Sequence, residues 1–290
     1  MSIPKQFSHL KSQARWLTGQ EAFQQRPARV LTRLAAWRLK SWRGEHGVVR
    51  LESLDSVFVV PPEWRGMSKL AYAFEDLAEP ELPWVGTLAP PGSIAVDAGS
   101  HYGDYTLALA QAVGADGEVW AVDPSPRFMA ICRANVALNH LQNVRFLECG
   151  LSHSTGRATL VSDADPSRSH IAAGPAQVGE VIELRSLDSI YEEYGAGRLV
   201  SFIKLDIEFS EMAALTGSAT VIREHRPVIM IELQQEAQSR AGSSEMELWE
   251  HLKSLGYGFA VLGARGALVD APHPNGVRAN FVARPIAEQR

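Results

Sequence analysis

The chain has 290 residues, 46% of them hydrophobic and 21% charged, with 23 glycines, 16 prolines and two cysteines. That balance suits an ordinary soluble globular protein and excludes a disordered chain, a fibrous repeat and a disulfide scaffold. The net charge of −5 hides an asymmetry: residues 1–50 hold ten Lys or Arg against Glu21 and Glu45, a local +8 that leaves −13 on the rest.

Cys132 and Cys149 stand alone, so both are expected to be reduced thiols in a cytoplasmic protein. The opening MSIPKQFSHLKSQARW lacks the charged, apolar and small-residue progression of a signal peptide. No stretch approaches the roughly 20 apolar residues of a membrane span.

In chain order, residues 28–43 (ARVLTRLAAWRLKSWR) predict an amphipathic helix, with Val30, Leu31, Leu34, Trp37, Leu39 and Trp42 interleaved with arginines. Such a helix can pack on the rest of the chain, join two copies as a homo-oligomer, or lie on an anionic membrane surface. Nothing else in the sequence supports nucleic-acid binding. Ser56–Val60 is strand-like, Pro61-Pro62 ends it, and 69–77 is helix-compatible. A basic extension over 1–85 and a catalytic domain over 86–290 are expected.

From residue 93 strand and helix alternate: strand 93–97, helix 104–113, strand 118–123, helix 126–138, strand 144–149. Strands at 157–161 and 181–185 flank a Gly-, Pro- and Ser-rich excursion. Strand 202–207, helix 211–224, strand 228–233 and helix 246–255 resume the rhythm, and strands 258–262 and 277–283 close it. This pattern predicts an α/β fold with a seven-stranded, mostly parallel sheet covered on both faces and an antiparallel C-terminal edge hairpin.

Ligands of open α/β sheets bind beyond the carboxyl ends of the strands, where strand order reverses. The first strand runs into Asp97, then a loop with Gly99, Ser100, His101 and Gly103, then a helix beginning at Asp104 with Tyr105 and Thr106 in its first turn. This is not the Gly-x-Gly-x-x-Gly of a dinucleotide site. An acid at the strand end repels a pyrophosphate but accepts hydrogen bonds from an ammonium, and Asp104 adds negative charge. The ammonium and sulfonium of S-adenosylmethionine fit this preference.

The second strand ends at Asp123, followed by Pro124 and Ser125, 20 residues past Gly103, where an acid can take both ribose hydroxyls. Capping of the next helix is the alternative use of Asp123 and Ser125. After the third strand, Gly150, Leu151 and Ser152 are placed to meet the adenine. On the fourth, period-2 alternation puts Lys204, Asp206 and Glu208 on one side, either at a substrate cleft or paired with each other. Glu232 is a similar acid at the next strand end.

The run VDAGSHYGDYT, AVDPSP, Asn135-x-x-x-Asn139, SLD, IKLDIEFSEMAAL and RPVIMIEL, over about residues 93–235, resembles the FkbM-type methyltransferase family. The family pattern around the fourth strand is Lys-x-Asp-x-Glu-Gly; Lys204, Asp206 and Glu208 match it and Phe209 stands at the glycine. Asp123 replaces the more usual Glu. The resemblance implies a Rossmann-like class I methyltransferase that moves a methyl group from S-adenosylmethionine to an oxygen, typically a hydroxyl of a sugar or natural product.

A hydroxyl acceptor must lose a proton, which calls for a base or a metal. His101 is the candidate base and Asp206 the alternative. Ser169 and His170, in the 162–180 excursion, are candidate acceptor contacts alongside Glu208 and Glu232. The sequence does not require a metal, though Asp206 and Glu208 leave room for Mg²⁺. A nicotinamide-dependent oxidoreductase and an inactive adenosyl-ligand-binding scaffold are the rival readings.

Overall fold

The structure is a computed structural model that describes residues 18–19, 21–64, 66–76, 79, 81–161, 170–171, 179–207, 210–232, 245–271 and 280–286. The chain divides into two compact units, Met1–Ala78 and Glu79–Arg290.

In the first unit, helices α1 (Glu21–Gln25) and α2 (Pro27–Arg43) precede a hairpin of β1 (Gly47–Leu51) and β2 (Ser56–Val60), and α3 (Gly66–Phe74) follows. Pro27 suits the first turn of α2, where its missing N–H costs nothing, and Gly44 ends the helix in the left-handed conformation at φ 70°. Trp37 is fully buried, stacks on Tyr72 with ring centroids 4.9 Å apart, and donates from Nε1 to the Glu63 carbonyl at 2.9 Å. A Cβ at Gly47 would sit 2.8 Å from the Trp37 ring, so only glycine lets β1 pass beneath it.

The second unit is built on β3 (Ile94–Ala98), α5 (Asp104–Val113), β4 (Glu118–Val122), α6 (Pro126–Leu138) and β5 (Val144–Leu147), with a short α4 (Leu82–Val85) ahead of them. Further on come β6 (Gly150–Leu151), β7 (Gly156–Val161), β8 (His170–Ile171), β9 (Glu180–Arg185), α7 (Leu187–Tyr194) and β10 (Val200–Leu205). α8 (Glu211–Thr216), α9 (Ala219–His225), β11 (Val228–Glu232), α10 (Glu245–Ser254), β12 (Tyr257–Leu262), β13 (Leu268–Asp270) and β14 (Asn280–Pro285) complete it.

The main sheet has eight strands in the order β13-β12-β14-β11-β10-β3-β4-β5. Its five central and far-side strands, β11, β10, β3, β4 and β5, run parallel, while β14, β12 and β13 are antiparallel additions. Every residue of β3 (IAVDA) and β10 (VSFIKL) is buried, the near-continuous burial of a strand covered on both faces. Trp120, Phe202 and Phe281 are among its largest fully buried side chains, and truncating one of them to alanine should cost about 3–5 kcal/mol.

Several expectations need adjustment. The sheet has eight strands rather than seven, because residues 263–267 turn the chain back as the three-residue β13. The expected helix 211–224 is two helices, since Gly217 brings the backbone against the Ser152 carbonyl where a Cβ would overlap it. Helix α7 was not anticipated; Ser186 caps it by accepting from Ser189 N at 3.2 Å. The strands at 157–161 and 181–185 do form, but in a separate sheet of order β6-β9-β7-β8. Helices 104–113 and 126–138 stand where the sequence placed them; the expected last strand is described over Asn280–Pro285, antiparallel to β12, with β13 rather than these two strands at the sheet edge.

Candidate functional site

Strand order reverses between β3 and β10: the chain winds outward through β4 and β5 on one side, then through β11 on the other. The carboxyl ends of these two strands therefore frame the crevice where an open α/β sheet binds its ligand. Asp97 on β3 and Lys204 on β10 are register partners, so their side chains stand together on one face.

Asp97 is wholly buried, and its Oδ2 accepts from Thr106 Oγ1 at 2.5 Å. Its Oδ1 has no hydrogen-bond donor among the described residues; the Lys204 Nζ lies 3.9 Å away. Burial pushes the Asp97 carboxyl above its usual range, against the opposing pull of Lys204 and Thr106. Lys204 is buried too, 3.1 Å from Asp206 Oδ2 and 4.6 Å from the Tyr105 ring centroid. Burial alone would lower its pKa, but Asp206, Asp97 and Asp104 outweigh that and hold it above the ordinary lysine value. Lys204 is thus a fixed cation with no proton to offer near neutrality.

The glycine loop has its own structural reasons. Gly99 and Gly103 take positive φ angles of 77° and 89°; a Cβ on Gly99 would overlap the Asp206 carbonyl, and one on Gly103 would lie 2.6 Å from Cys132 Sγ. The loop carbonyl of Tyr102 is held by Asn135 Nδ2 of α6 at 2.8 Å, which gives the first asparagine of the N-x-x-x-N pair a definite task. Ser100 is buried, and its hydroxyl has no hydrogen-bond partner among the described residues. Asp104, at the first turn of α5, is pushed up to about 7 by burial, with Lys204 opposing and Asp97 reinforcing the shift.

Beyond β4, Asp123 is buried and its two oxygens accept from His101 N at 3.0 Å and Ser125 N at 2.8 Å. Burial raises it to about 6 despite those bonds. Each oxygen keeps a second lone pair, so the carboxylate can still accept from two ribose hydroxyls. Ser125 also caps α6, accepting from Phe128 N at 3.5 Å. Its role as a cap and a place near the cofactor are compatible. Pro124 links these two groups.

His101 sits at φ 47°, its ring packed 3.7 Å from the Tyr102 ring and 4.2 Å from Phe128 of α6. It therefore leans toward the β4 side of β3, whereas Asp206 follows β10 on the opposite side. Gly150 and Leu151 pair with β9, and Leu151 is buried in the core. Ser152 Oγ lies 3.4 Å from His153 Nδ1.

A scan of family models matches residues 97–259 to the Methyltransferase FkbM domain. The chain belongs to the FkbM methyltransferase domain family. Its sheet order is that of a Rossmann-like class I methyltransferase with one added edge strand. Among solved structures, similarity extends to the methyltransferase FkbM from Methylobacillus flagellatus KT, at 18% identity and a TM-score of 0.43, over 89% of this chain and 60% of that one. A protein of Streptococcus mutans described as a methyltransferase and solved with SAH matches at 10% identity and 0.41, over 71% of this chain and 97% of that one. Fibrillarin of Aeropyrum pernix with bound S-adenosyl-L-methionine matches at 12% and 0.38, over 68% and 67%. Comparison with curated proteins finds no match.

Three residues that sequence reasoning did not single out, Glu79, Glu81 and Asn280, lie outside the matched stretch and join the site. Tyr105 OH donates to Glu81 Oε1 at 3.1 Å, and Asn280 Nδ2 donates to the same oxygen and, at 3.3 Å, to the Tyr105 hydroxyl. Burial and the neighbouring Glu81 and Glu79 push the Tyr105 phenol well up, so it remains a donor. Glu79 is raised to about 8, first by burial and then by Glu81 and Asp104, with Lys204 opposing. Glu79 and Glu81 follow the helix-compatible run 69–77 and belong to no motif; two acids among the prolines of EPELPW are the signal the sequence carries for them. Asn280 arrives through the register of β14 on β11, where it opposes Glu232.

The SLD motif proves to be scaffolding: Asp188 accepts from Thr220 N and Val221 N, each at 3.0 Å, and so caps α9. Glu208, Phe209 and Ser169 lie outside the described residues, as do the side chains of His170 and Glu232. Among the described residues, no group of three or more His, Cys, Asp or Glu side chains is arranged to hold a metal ion.

Proposed function

We propose that the chain transfers a methyl group from S-adenosylmethionine to a hydroxyl oxygen of a small-molecule acceptor, a sugar or natural product. The observation that carries this reading is Asp97: a buried carboxylate at the switch point whose Oδ1 faces no hydrogen-bond donor among the described residues. A buried charge in that condition is costly unless a ligand completes it. An α-ammonium does so, and the buried Ser100 hydroxyl beside it suits the carboxylate of the same amino-acid end. Asp123, one strand over, is spaced for the ribose.

When bound, S-adenosylmethionine supplies a sulfonium-activated methyl group, and transfer calls for an aligned acceptor oxygen and a group to take its proton. Asp206 fits the second need better than His101. It is 37% exposed, stands at the β10 end beside the acids Glu79 and Glu81, and is steadied by Lys204 at 3.1 Å. The His101 ring is packed against Phe128 instead. Glu81, Tyr105 and Asn280 offer acceptors and donors suited to a polyhydroxyl compound, and the surrounding carboxylates would repel a phosphorylated one.

Titrating the protein with S-adenosylhomocysteine, S-adenosylmethionine and NADH in a calorimeter tests the cofactor, and incubation with methyl-labelled S-adenosylmethionine and hydroxylated acceptors tests the reaction. Binding of the two adenosyl ligands without NADH, followed by label on an acceptor oxygen, supports the reading. NADH binding alone would leave an oxidoreductase; adenosyl binding with no transfer to any acceptor would leave a ligand-responsive scaffold.

A further inference from the structure

Helix α2 carries two apolar stripes, and the first unit uses one of them. Val30, Leu34, Trp37 and Ser41 follow the i, i+4, i+7, i+11 spacing of one helix face, with Val30 and Trp37 fully covered. Ala28, Leu31, Ala35, Leu39 and Trp42 follow the same kind of spacing on a second face, and every one of them is exposed. Leu31 is 52% exposed, Leu39 46% and Trp42 81%. Pro62 and Trp64 border this stripe and form, with Arg38, Leu39 and Trp42, the walls of a shallow groove. Trp64 is itself 37% exposed.

The charge on the helix itself is of one sign. The 17 residues of α2 include Arg29, Arg33, Arg38, Lys40 and Arg43 and no acid. Arg29 and Arg33 share Glu75, and Lys40 and Arg43 share Glu45, so four bases meet two acids. Arg38 lies over the Trp64 ring at 4.6 Å and Lys69 over the same ring at 5.8 Å, which places cations at the rim of the aromatic groove.

We infer that this face of α2, with Trp64 beside it, is a docking surface for an anionic lipid bilayer. Trp and Leu on one side of a helix and Lys or Arg around them is the arrangement by which a helix lies in the headgroup layer, its apolar face shallowly inserted and its cations at the anionic headgroups. Tryptophan prefers that boundary because its ring is apolar and its N–H polar. A second copy would set the same five bases of α2, with no acid among its residues, against this face, so like charge makes a second copy the weaker occupant. The docking is independent of the methyl-transfer reading.

The test is co-sedimentation of the full-length chain with vesicles of phosphatidylcholine alone and of equal parts phosphatidylcholine and phosphatidylglycerol, with sedimentation velocity of the lipid-free protein alongside. The protein should pellet with the anionic vesicles only, less so in high salt, and the Trp fluorescence should shift to the blue. Leu39→Ser with Trp42→Ser should lower the partition coefficient about tenfold or more, and Arg38→Glu with Arg43→Glu should do likewise while the circular dichroism stays unchanged. These substitutions fall on exposed side chains, so folding is preserved. Absence from anionic vesicles, or equal binding by the variants, overturns the inference. A dimer that the Leu39/Trp42 variant dissolves would assign the same face to a second copy instead.

Discussion

The two ends of β3 and β4 handle buried acid in opposite ways. At the amino end of β4, Glu118 is ringed by Arg145 at 2.9 Å, Arg198 at 2.5 Å and Trp120 Nε1 at 3.1 Å. Burial works against its charge, but Arg198, Trp120 and Arg145 overcome it and hold the carboxyl below its ordinary range. At the carboxyl ends, burial wins: Asp97, Asp104 and Asp123 are all held above theirs, with Lys204 opposing from the centre. The same kind of group, a carboxyl, is satisfied by the fold at one edge and left to be satisfied by a ligand at the other. Charge kept against its own preference marks the functional edge, while a well-paired charge marks the scaffold.

The largest effect that should sharpen this contrast is on turnover. Asp206→Asn should cut the methylation rate by roughly 10²–10⁴, the range of a lost general base, while S-adenosylhomocysteine affinity stays within a few-fold. A folded variant with full activity would reduce Asp206 to a partner of Lys204.

A smaller effect concerns pH. Asp104 and Asp123 have folded pKa values of about 7 and about 6 against an ordinary 3.8, so the folded state holds more protons than the unfolded one between those values. The stability they lend the ligand-free protein is therefore present at low pH and lost as pH rises from about 4 to about 7. The melting temperature, followed across that range, should fall more steeply for the native chain than for Asp104→Asn. Affinity for S-adenosylhomocysteine should move the other way, weakening below pH 7 as Asp104, which adds negative charge beside the Asp97 site, and Asp123, which is spaced for the ribose, protonate. Identical pH slopes in the native and Asp104→Asn proteins would contradict the raised value.

The smallest effect belongs to the other edge. Glu118→Gln should lower stability by about 1 kcal/mol, because its arginine partners are partly solvated, and leave ligand affinity unchanged. A variant that loses binding while keeping its melting temperature would erase the distinction between the two edges.

Much of this was legible from sequence because the decisive residues end strands. Asp97, Asp123 and Lys204 sit at fixed distances from glycines and apolar runs, and period-2 alternation fixes the strand face. Helices α5 and α6 were legible for the same reason, each bounded by a start signal and an apolar periodicity. The Glu81–Tyr105–Asn280 contact was not, since it joins segments 24 and 175 residues apart in sequence, a helix N-cap position, a helix and a strand, through tertiary packing that no local pattern encodes. Gly99 and Gly103 stand out in the sequence, but nothing local says that the loop needs them to pass Asp206 and Cys132. Helix α7 was overlooked because Ser186 and Asp188 were read as a motif and not as caps. The break at Gly217 depends on Ser152, which no local pattern announces.

The central claim is that the buried carboxylate of Asp97, whose Oδ1 lacks a hydrogen-bond donor among the described residues, is the anchor of the adenosyl ligand. Calorimetric titration of S-adenosylhomocysteine into the native chain, Asp97→Asn and Glu118→Gln tests it most directly. Asp97→Asn keeps the shape and the Thr106 contact but removes the charge, and should weaken binding by about 30-fold or more, equivalent to about 2 kcal/mol for a charged hydrogen bond, while Glu118→Gln binds like the native protein. Native-like affinity in Asp97→Asn would contradict the account.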